Sequence, residues 1–153
     1  FLLVLVGIGF LLVTWLSKDN SMTSCISILG SYVFFLGTIY FAAVGLTPHD
    51  IYLREHIYFA VNAFRLIAPA LLIYIIVFFR SSIPNFYSYL TLIFFLFTAG
   101  YVIYQLTNGS PRESVEALVE QASIQKLIAL VSTLNIFLLS FGFKKKIKEL
   151  NLS

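Results

Sequence analysis

The sequence predicts an all-α fold, a polytopic bundle of transmembrane helices. Hydrophobic residues make up 59% of the chain and charged residues only 11%, which is too little polar surface for a soluble domain of this length. The apolar residues also form continuous runs, and a helix needs about 20 of them to cross a bilayer. Five runs approach that length, at residues 1–17, 24–46, 57–79, 86–106 and 124–143.

The placement of basic residues predicts the orientation of this bundle. Lys18, Arg80 and the basic tail at 144–148 fall on one side of a five-helix arrangement. Short loops rich in Lys and Arg remain cytoplasmic, so the C-terminal tail is predicted to be cytoplasmic. The loops at 47–56 and 107–123 are then expected on the exterior.

This orientation also bears on the number of helices. Phe1 would lie on the exterior, and no basic segment precedes the first run, so a cleaved signal peptide is not expected there. An exterior start is best explained by one further helix before Phe1. We therefore expect residues 1–153 to form a single transmembrane helical domain of five spanning helices, within an intact protein of six.

The net charge of +3 does not indicate a nucleic-acid partner. Its excess lies in the "KKKIK" tail, which is typical of a topology anchor with a weak attraction to anionic lipid. The partners expected from the sequence are membrane lipids and other membrane protein subunits. No cofactor is predicted.

Two exterior segments resemble helix starts. Each has a Ser or Thr, a Pro, a basic residue and an acid in succession, which is the pattern of an N-cap residue, a first-turn proline and a carboxylate near the helix N-terminus. We expect helices to begin at Pro48 and Pro111. The predicted helix caps are Thr47, Pro48, Asp50, Ser110, Pro111 and Glu113.

Polar residues recur along the third run at spacings of three and four. Glu55, Tyr58, Asn62, Arg65 and Pro69 therefore share one helix face. Arg65 lies deep in the apolar run, where a charge costs from about 3 to more than 10 kcal/mol and usually faces the protein interior or a wet cavity. We expect it to face the last helix and to be solvated by Asn62, Tyr58 and Gln125.

The last helix carries a matching stripe of Gln121, Gln125, Ser132 and Asn135, with Lys126 beside it. No acid lies at the depth of Arg65 and Lys126, so their counter-charge is expected to be a shallow acid reached by bending, a group on a missing segment or a partner, or an anionic ligand. Pairing of Arg65 with Glu120 or with lipid phosphate is an alternative. The candidate pocket comprises Glu55, His56, Tyr58, Asn62, Arg65, Glu120, Gln125 and Lys126.

Small and polar residues on two other runs have packing as their commonest role. Ser27, Gly30 and Gly37 lie on one face of the second run and allow close helix contact. The fourth run carries Thr91, Thr98 and Gln105, which more often form interhelical hydrogen bonds than a ligand site.

The chain has two histidines, His49 and His56, and they lie beside Asp50 and Glu55. On one helix, two residues seven positions apart are separated by about 10 Å along the axis, too far for a shared metal ion. Zinc sites also need three or four well-placed ligands. No metal site and no catalytic residue are predicted.

The segment "GLTPHD", Gly45 to Asp50, followed by His56 and the aromatic Tyr58, Phe59 and Phe64, resembles the domain-of-unknown-function-998 membrane proteins. The resemblance implies that this chain corresponds to helices two to six of a six-helix protein. It also implies a general relation to proteins linked with lipid handling and stress responses. The family implies no particular activity.

Three function classes follow from these features. The first is a non-enzymatic accessory or scaffold subunit of a membrane assembly, with an outward-facing polar pocket for lipid or a small anion. The second is a sensor or transporter of lipid or another small ligand. The third is a membrane-embedded hydrolase that uses His49, Asp50 and His56.

Overall fold

The computed structural model describes residues 2–16, 22–81, 83–108 and 114–150. These residues form helices and no strand, which confirms the all-α prediction. In chain order the helices are α1 (Leu2–Leu16), α2 (Met22–Leu46), α3 (Leu53–Arg80), α4 (Asn85–Thr107) and α5 (Val115–Leu150).

Four of the helices can span a membrane. By length and composition these are α2, α3, α4 and the part of α5 at Val115–Gly142. Helix α1 has 15 residues, fewer than the roughly 20 that a crossing needs. Four of the five predicted runs are thus long and apolar enough to span a membrane, while their placement in a membrane and the six-helix count stay predictions.

The chain divides into two compact units, Phe1–Val77 and Phe78–Ser153. The first contains α1, α2 and most of α3, and the second contains α4 and α5. Each unit has its own packing. A single domain over the whole chain stays a prediction.

In the first unit, α1 and α2 pack against each other in opposite directions. Gly7 lies against Thr38, and seven residues further along α1 the hydroxyl of Thr14 is 2.6 Å from that of Ser31. An advance of seven residues on α1 therefore matches a retreat of seven on α2, which is the register of an antiparallel pair with two-turn spacing.

The contact between α2 and α3 depends on two glycines of α2. A Cβ atom at Gly30 would lie 2.7 Å from Cγ2 of Ile73, and one at Gly37 would lie 2.8 Å from Cγ1 of Ile67. Both glycines are buried. The predicted small-residue face is confirmed, since only a hydrogen fits at either position without displacing a β-branched side chain.

In the second unit α4 packs against α5. The ring of Tyr87, near the start of α4, covers Gly142 at 3.1 Å from the position of its missing Cβ. At the other end of α4, Tyr101 contacts Gln125. The two helices are therefore antiparallel, and their polar residues Thr91 and Asn135 are buried.

The start of α3 differs from the prediction. Thr47 does not cap α3, because its hydroxyl donates instead to the carbonyls of Ala43 at 2.9 Å and Val44 at 3.4 Å. These carbonyls lie at the end of α2, where helical partners run out. Pro48 and Asp50 lie in a turn, and α3 begins at Leu53, so the assignment of Thr47, Pro48 and Asp50 as caps is wrong.

The start of α5 has a cap that the sequence pattern did not indicate. The Ser114 hydroxyl accepts a hydrogen bond from the amide of Ala117 at 3.1 Å, and its carbonyl accepts one from Leu118 at 3.2 Å, as an N-cap residue does. The expected caps Ser110, Pro111 and Glu113 lie outside the described residues.

Candidate functional site

The predicted pocket residues belong to both units. Glu55, His56, Tyr58, Asn62 and Arg65 lie in the first, and Glu120, Gln125 and Lys126 lie in the second. Within its own unit each set has its own surroundings. The charged members Glu55, Arg65, Glu120 and Lys126 are all exposed.

Arg65 lies on the exposed face of α3. Exposed side chains recur on this helix at Tyr58, Arg65, Pro69, Leu72 and Ile76, at spacings of seven, four, three and four, so they lie on one face. The opposite face is buried and contains Ala63, Ile67, Ala70 and Tyr74. The face predicted from residue spacing is therefore present, but it is the exposed side of the helix.

The side chains expected to solvate Arg65 have other partners. The amide nitrogen of Asn62 donates to the carbonyl of Tyr58 at 2.8 Å, and the ring of Tyr58 lies 6.3 Å from that of Tyr40, centroid to centroid. The amide nitrogen of Gln125 donates to the hydroxyl of Tyr101 at 2.6 Å, within the second unit. Solvation of the Arg65 guanidinium by these three residues stays a prediction.

The Arg65 guanidinium has no counter-charge in the part of the chain that the structure describes. No hydrogen bond or ion pair to a described residue involves this side chain. Its carbonyl is also short of a donor. Pro69 lies four residues later inside the helix, and proline has no N–H to give to the carbonyl four residues before it. The exposed face of α3 therefore presents two groups at the same depth, the guanidinium of Arg65 as a hydrogen-bond donor and the carbonyl of Arg65 as an acceptor.

The second unit contains a tyrosine–glutamine cluster. Gln121 and Gln125 both donate to the hydroxyl of Tyr101, at 3.2 and 2.6 Å. These bonds confirm an interhelical role for the glutamine stripe of α5.

Another amide of this cluster region is buried without a partner. Both the nitrogen and the oxygen of the Gln105 side chain are shielded from solvent and make no hydrogen bond to a described residue. The same holds for the nitrogen of Asn135 and the hydroxyl of Ser88. The interior of the α4–α5 pair is therefore more polar than packing alone requires.

A chain of buried hydroxyls crosses the first unit. Thr14 is 2.6 Å from Ser31, and Ser31 is 2.6 Å from the hydroxyl of Tyr74. Beside it an open groove of about 200 Å³ lies between α1 and α2, lined by Leu11, Leu12, Thr14, Ile28, Ser31 and Tyr32. The hydroxyls of Thr14 and Ser31 in its wall are engaged in this chain, so the groove offers a ligand mainly apolar contacts.

The histidine pair is closer than the sequence suggested. The ring centroids of His49 and His56 are 5.6 Å apart and the ring planes are nearly perpendicular, at 89°. The expected separation of about 10 Å along one helix is wrong because His49 lies in the turn before Leu53. His56 Nδ1 is 2.7 Å from the carbonyl oxygen of Thr47.

Two tyrosines of these sites were not predicted as polar partners. Tyr74 and Tyr101 occur in apolar, aromatic-rich runs where a ring is expected to serve packing. A sequence signal does exist for Tyr101, because it lies three residues after Thr98 and four before Gln105 and so shares their helix face.

Comparisons with models of protein families, with curated proteins and with solved structures give no match. The resemblance of Gly45–Asp50 and His56 to the domain-of-unknown-function-998 proteins stays a prediction.

Proposed function

We propose that this chain is a non-enzymatic integral membrane protein that acts as an accessory subunit of a membrane assembly. Its α3 helix would recruit a partner helix that carries a carboxylate at the depth of Arg65. The observation that carries the proposal is the exposed position of Arg65 on a face that is otherwise largely apolar.

The depth of Arg65 makes a lone position costly. It lies twelve residues after Leu53 and fifteen before Arg80, so more than three helical turns separate it from either end of α3. An unpaired cation at such a depth is disfavoured by at least about 3 kcal/mol. Pairing with an acid in the bilayer removes most of that penalty.

The chemistry of the face fits a carboxylate-bearing helix. A guanidinium holds a carboxylate with two parallel hydrogen bonds, and the carbonyl freed by Pro69 can accept a further bond. Around them the exposed Tyr58, Leu72 and Ile76, at 56%, 47% and 42% accessible surface, provide apolar area for a neighbouring helix. Interhelical packing and hydrogen bonds are the forces that associate helices in lipid.

The test is association with single-span host helices in lipid vesicles, measured by energy transfer between fluorophores. A polyleucine helix with one central Glu is expected to bind the chain, and a helix with Leu at that position is not. Arg65→Leu should weaken binding of the Glu helix about tenfold, since an interhelical hydrogen bond contributes roughly 1–2 kcal/mol. Arg65→Lys should be intermediate because an ammonium lacks the bidentate fork.

Arg80→Leu is the matched control, because Arg80 is an exposed arginine at the end of the same helix. It is expected to leave binding of the Glu helix unchanged. If the Glu and Leu helices associate equally with the chain, Arg65 is neutralised by lipid phosphate and the subunit proposal fails.

The proposal includes an orientation, with the C-terminal tail cytoplasmic and the loop at Asn108 exterior. Cys25 is exposed and lies near the end of α2 that would be cytoplasmic, so the native chain already contains an inner reporter. A membrane-impermeant maleimide should label Asn108→Cys in intact cells and Cys25 only after permeabilisation. The reverse pattern would invert the orientation, which rests on the basic loops.

A further inference from the structure

We infer that His49 and His56 form a binding site for a divalent transition-metal ion, such as Zn²⁺ or Cu²⁺, at the start of α3. The two rings approach to 5.6 Å between centroids, although the sequence places them seven residues apart. The turn at Pro48–Tyr52 produces this approach, with the amides of Ile51 and Tyr52 both bonded to the carbonyl of Pro48 at 3.1 and 2.8 Å.

The ring separation suits two imidazoles on one metal ion. A metal–nitrogen bond of about 2.1 Å puts an imidazole centroid about 3.2 Å from the metal. Two centroids that are 5.6 Å apart then subtend an angle of about 120° at the ion, within the range of tetrahedral and trigonal zinc sites. Two histidines seven positions apart on one straight helix, about 10 Å apart along the axis, would not meet this condition.

His56 is already held as a metal ligand would be. The carbonyl of Thr47 can only accept a hydrogen bond, so the 2.7 Å contact places the proton on Nδ1 and leaves the lone pair of Nε2 available. Metal-binding histidines almost always donate their other N–H to a carbonyl or carboxylate, which fixes the tautomer and the ring orientation. Thr47 is itself fixed, because its amide bonds to Val44 at 3.3 Å.

The coordination sphere is completed by groups other than a third protein ligand. No cluster of three or more His, Cys, Asp or Glu side chains suited to a metal occurs in the described ranges. Two imidazoles therefore leave positions for water or for a ligand from outside the chain. The exposed Asp50 and Glu55, each next to a histidine in the sequence, add negative charge that favours a divalent cation.

Imidazole ligands select late first-row ions, and among these Cu²⁺ binds most tightly to a given set of nitrogen ligands. Cu²⁺ is therefore the most sensitive probe of the pair. Cys25 is a free and exposed thiol that also binds such ions, so the measurement uses the Cys25→Ser chain. This site does not depend on the partner interface proposed at Arg65.

The test is Cu²⁺ titration of the full chain in nanodiscs, with pulsed electron paramagnetic resonance to count the coordinated imidazoles. We expect one Cu²⁺ per chain with two imidazoles. His49→Ala and His56→Ala should each lower the affinity at least about tenfold, since even the loss of an outer-shell partner lowers metal affinity 10- to 100-fold. Each single variant should retain the signal of one imidazole.

Circular dichroism separates loss of a ligand from loss of the fold, and His49 is exposed in a turn, so its replacement leaves the helices intact. Tyr52→Phe, an exposed change between the two histidines, is the control and should bind Cu²⁺ as the parent does. Equal affinity of the parent and of His49→Ala, or a single imidazole in the parent, would refute the site.

Discussion

Gly37→Leu is expected to lower the free energy of unfolding by about 3 kcal/mol, at the upper end of the range for overpacked sites. A Cβ atom at this position would lie 2.8 Å from Cγ1 of Ile67, with Cβ of Leu66 at 3.5 Å and the carbonyl of Ala63 at 3.6 Å. Ile67 is only 5% exposed and β-branched, so it has few rotamers into which it can retreat. The α2–α3 pair must separate or shift.

Gly45→Leu is the matched control. It lies on the same helix, and a Cβ atom there would meet nothing within 4 Å, so the two substitutions add the same side chain in crowded and open surroundings. Unfolding of the chain in mixed micelles with increasing denaturing detergent measures both. An equal loss of stability in the two variants would mean that the glycine contact does not hold α2 to α3.

The sequence predicts which helix faces pack together better than it predicts where the helices begin and end. Gly30 and Gly37 lie against α3 as their spacing indicates, because a buried face of small residues has one main use in a membrane helix. A Thr before a Pro is ambiguous. Thr47 follows α2 at once, so its hydroxyl reaches the carbonyls of Ala43 and Val44 and caps the preceding helix instead.

At Arg65 the prediction from residue spacing is correct only in part. Spacing correctly groups Arg65 with Tyr58 and Pro69, because helical period determines which residues share a face. It does not determine which way the face points. In lipid the outer surface is as apolar as the interior, so composition does not distinguish the two, and only the burial of Ala63, Ile67 and Ala70 shows which side is packed.

For the tyrosine–glutamine cluster, the spacing places Tyr101 on the polar face of α4 but does not identify the partner of its hydroxyl. An aromatic residue in an apolar run contributes packing area whether or not its hydroxyl has a partner. The hydroxyl of Tyr101 has a role only because Gln121 and Gln125 face it from the antiparallel helix α5. That register depends on the pairing of α4 with α5, which no local sequence feature of α4 encodes.

Tyr101→Phe is therefore expected to destabilise the α4–α5 unit by about 1–3 kcal/mol. The substitution keeps the ring but removes the acceptor of two amides, and a buried donor without a partner costs about that much. Tyr101 is 2% exposed, so water does not readily replace the hydroxyl. Unfolding in mixed micelles, monitored by a fluorophore pair on α4 and α5, provides the measurement.

Two further variants identify the hydrogen bonds as the cause. Tyr89→Phe removes a hydroxyl from an exposed position of the same helix, 57% accessible, and should be silent. The double change Tyr101→Phe with Gln125→Leu should be less destabilising than the sum of the two single changes, because replacing both partners by apolar groups leaves no orphaned donor at position 125. Additive losses would mean instead that Tyr101 and Gln125 stabilise the helix pair independently, by packing alone.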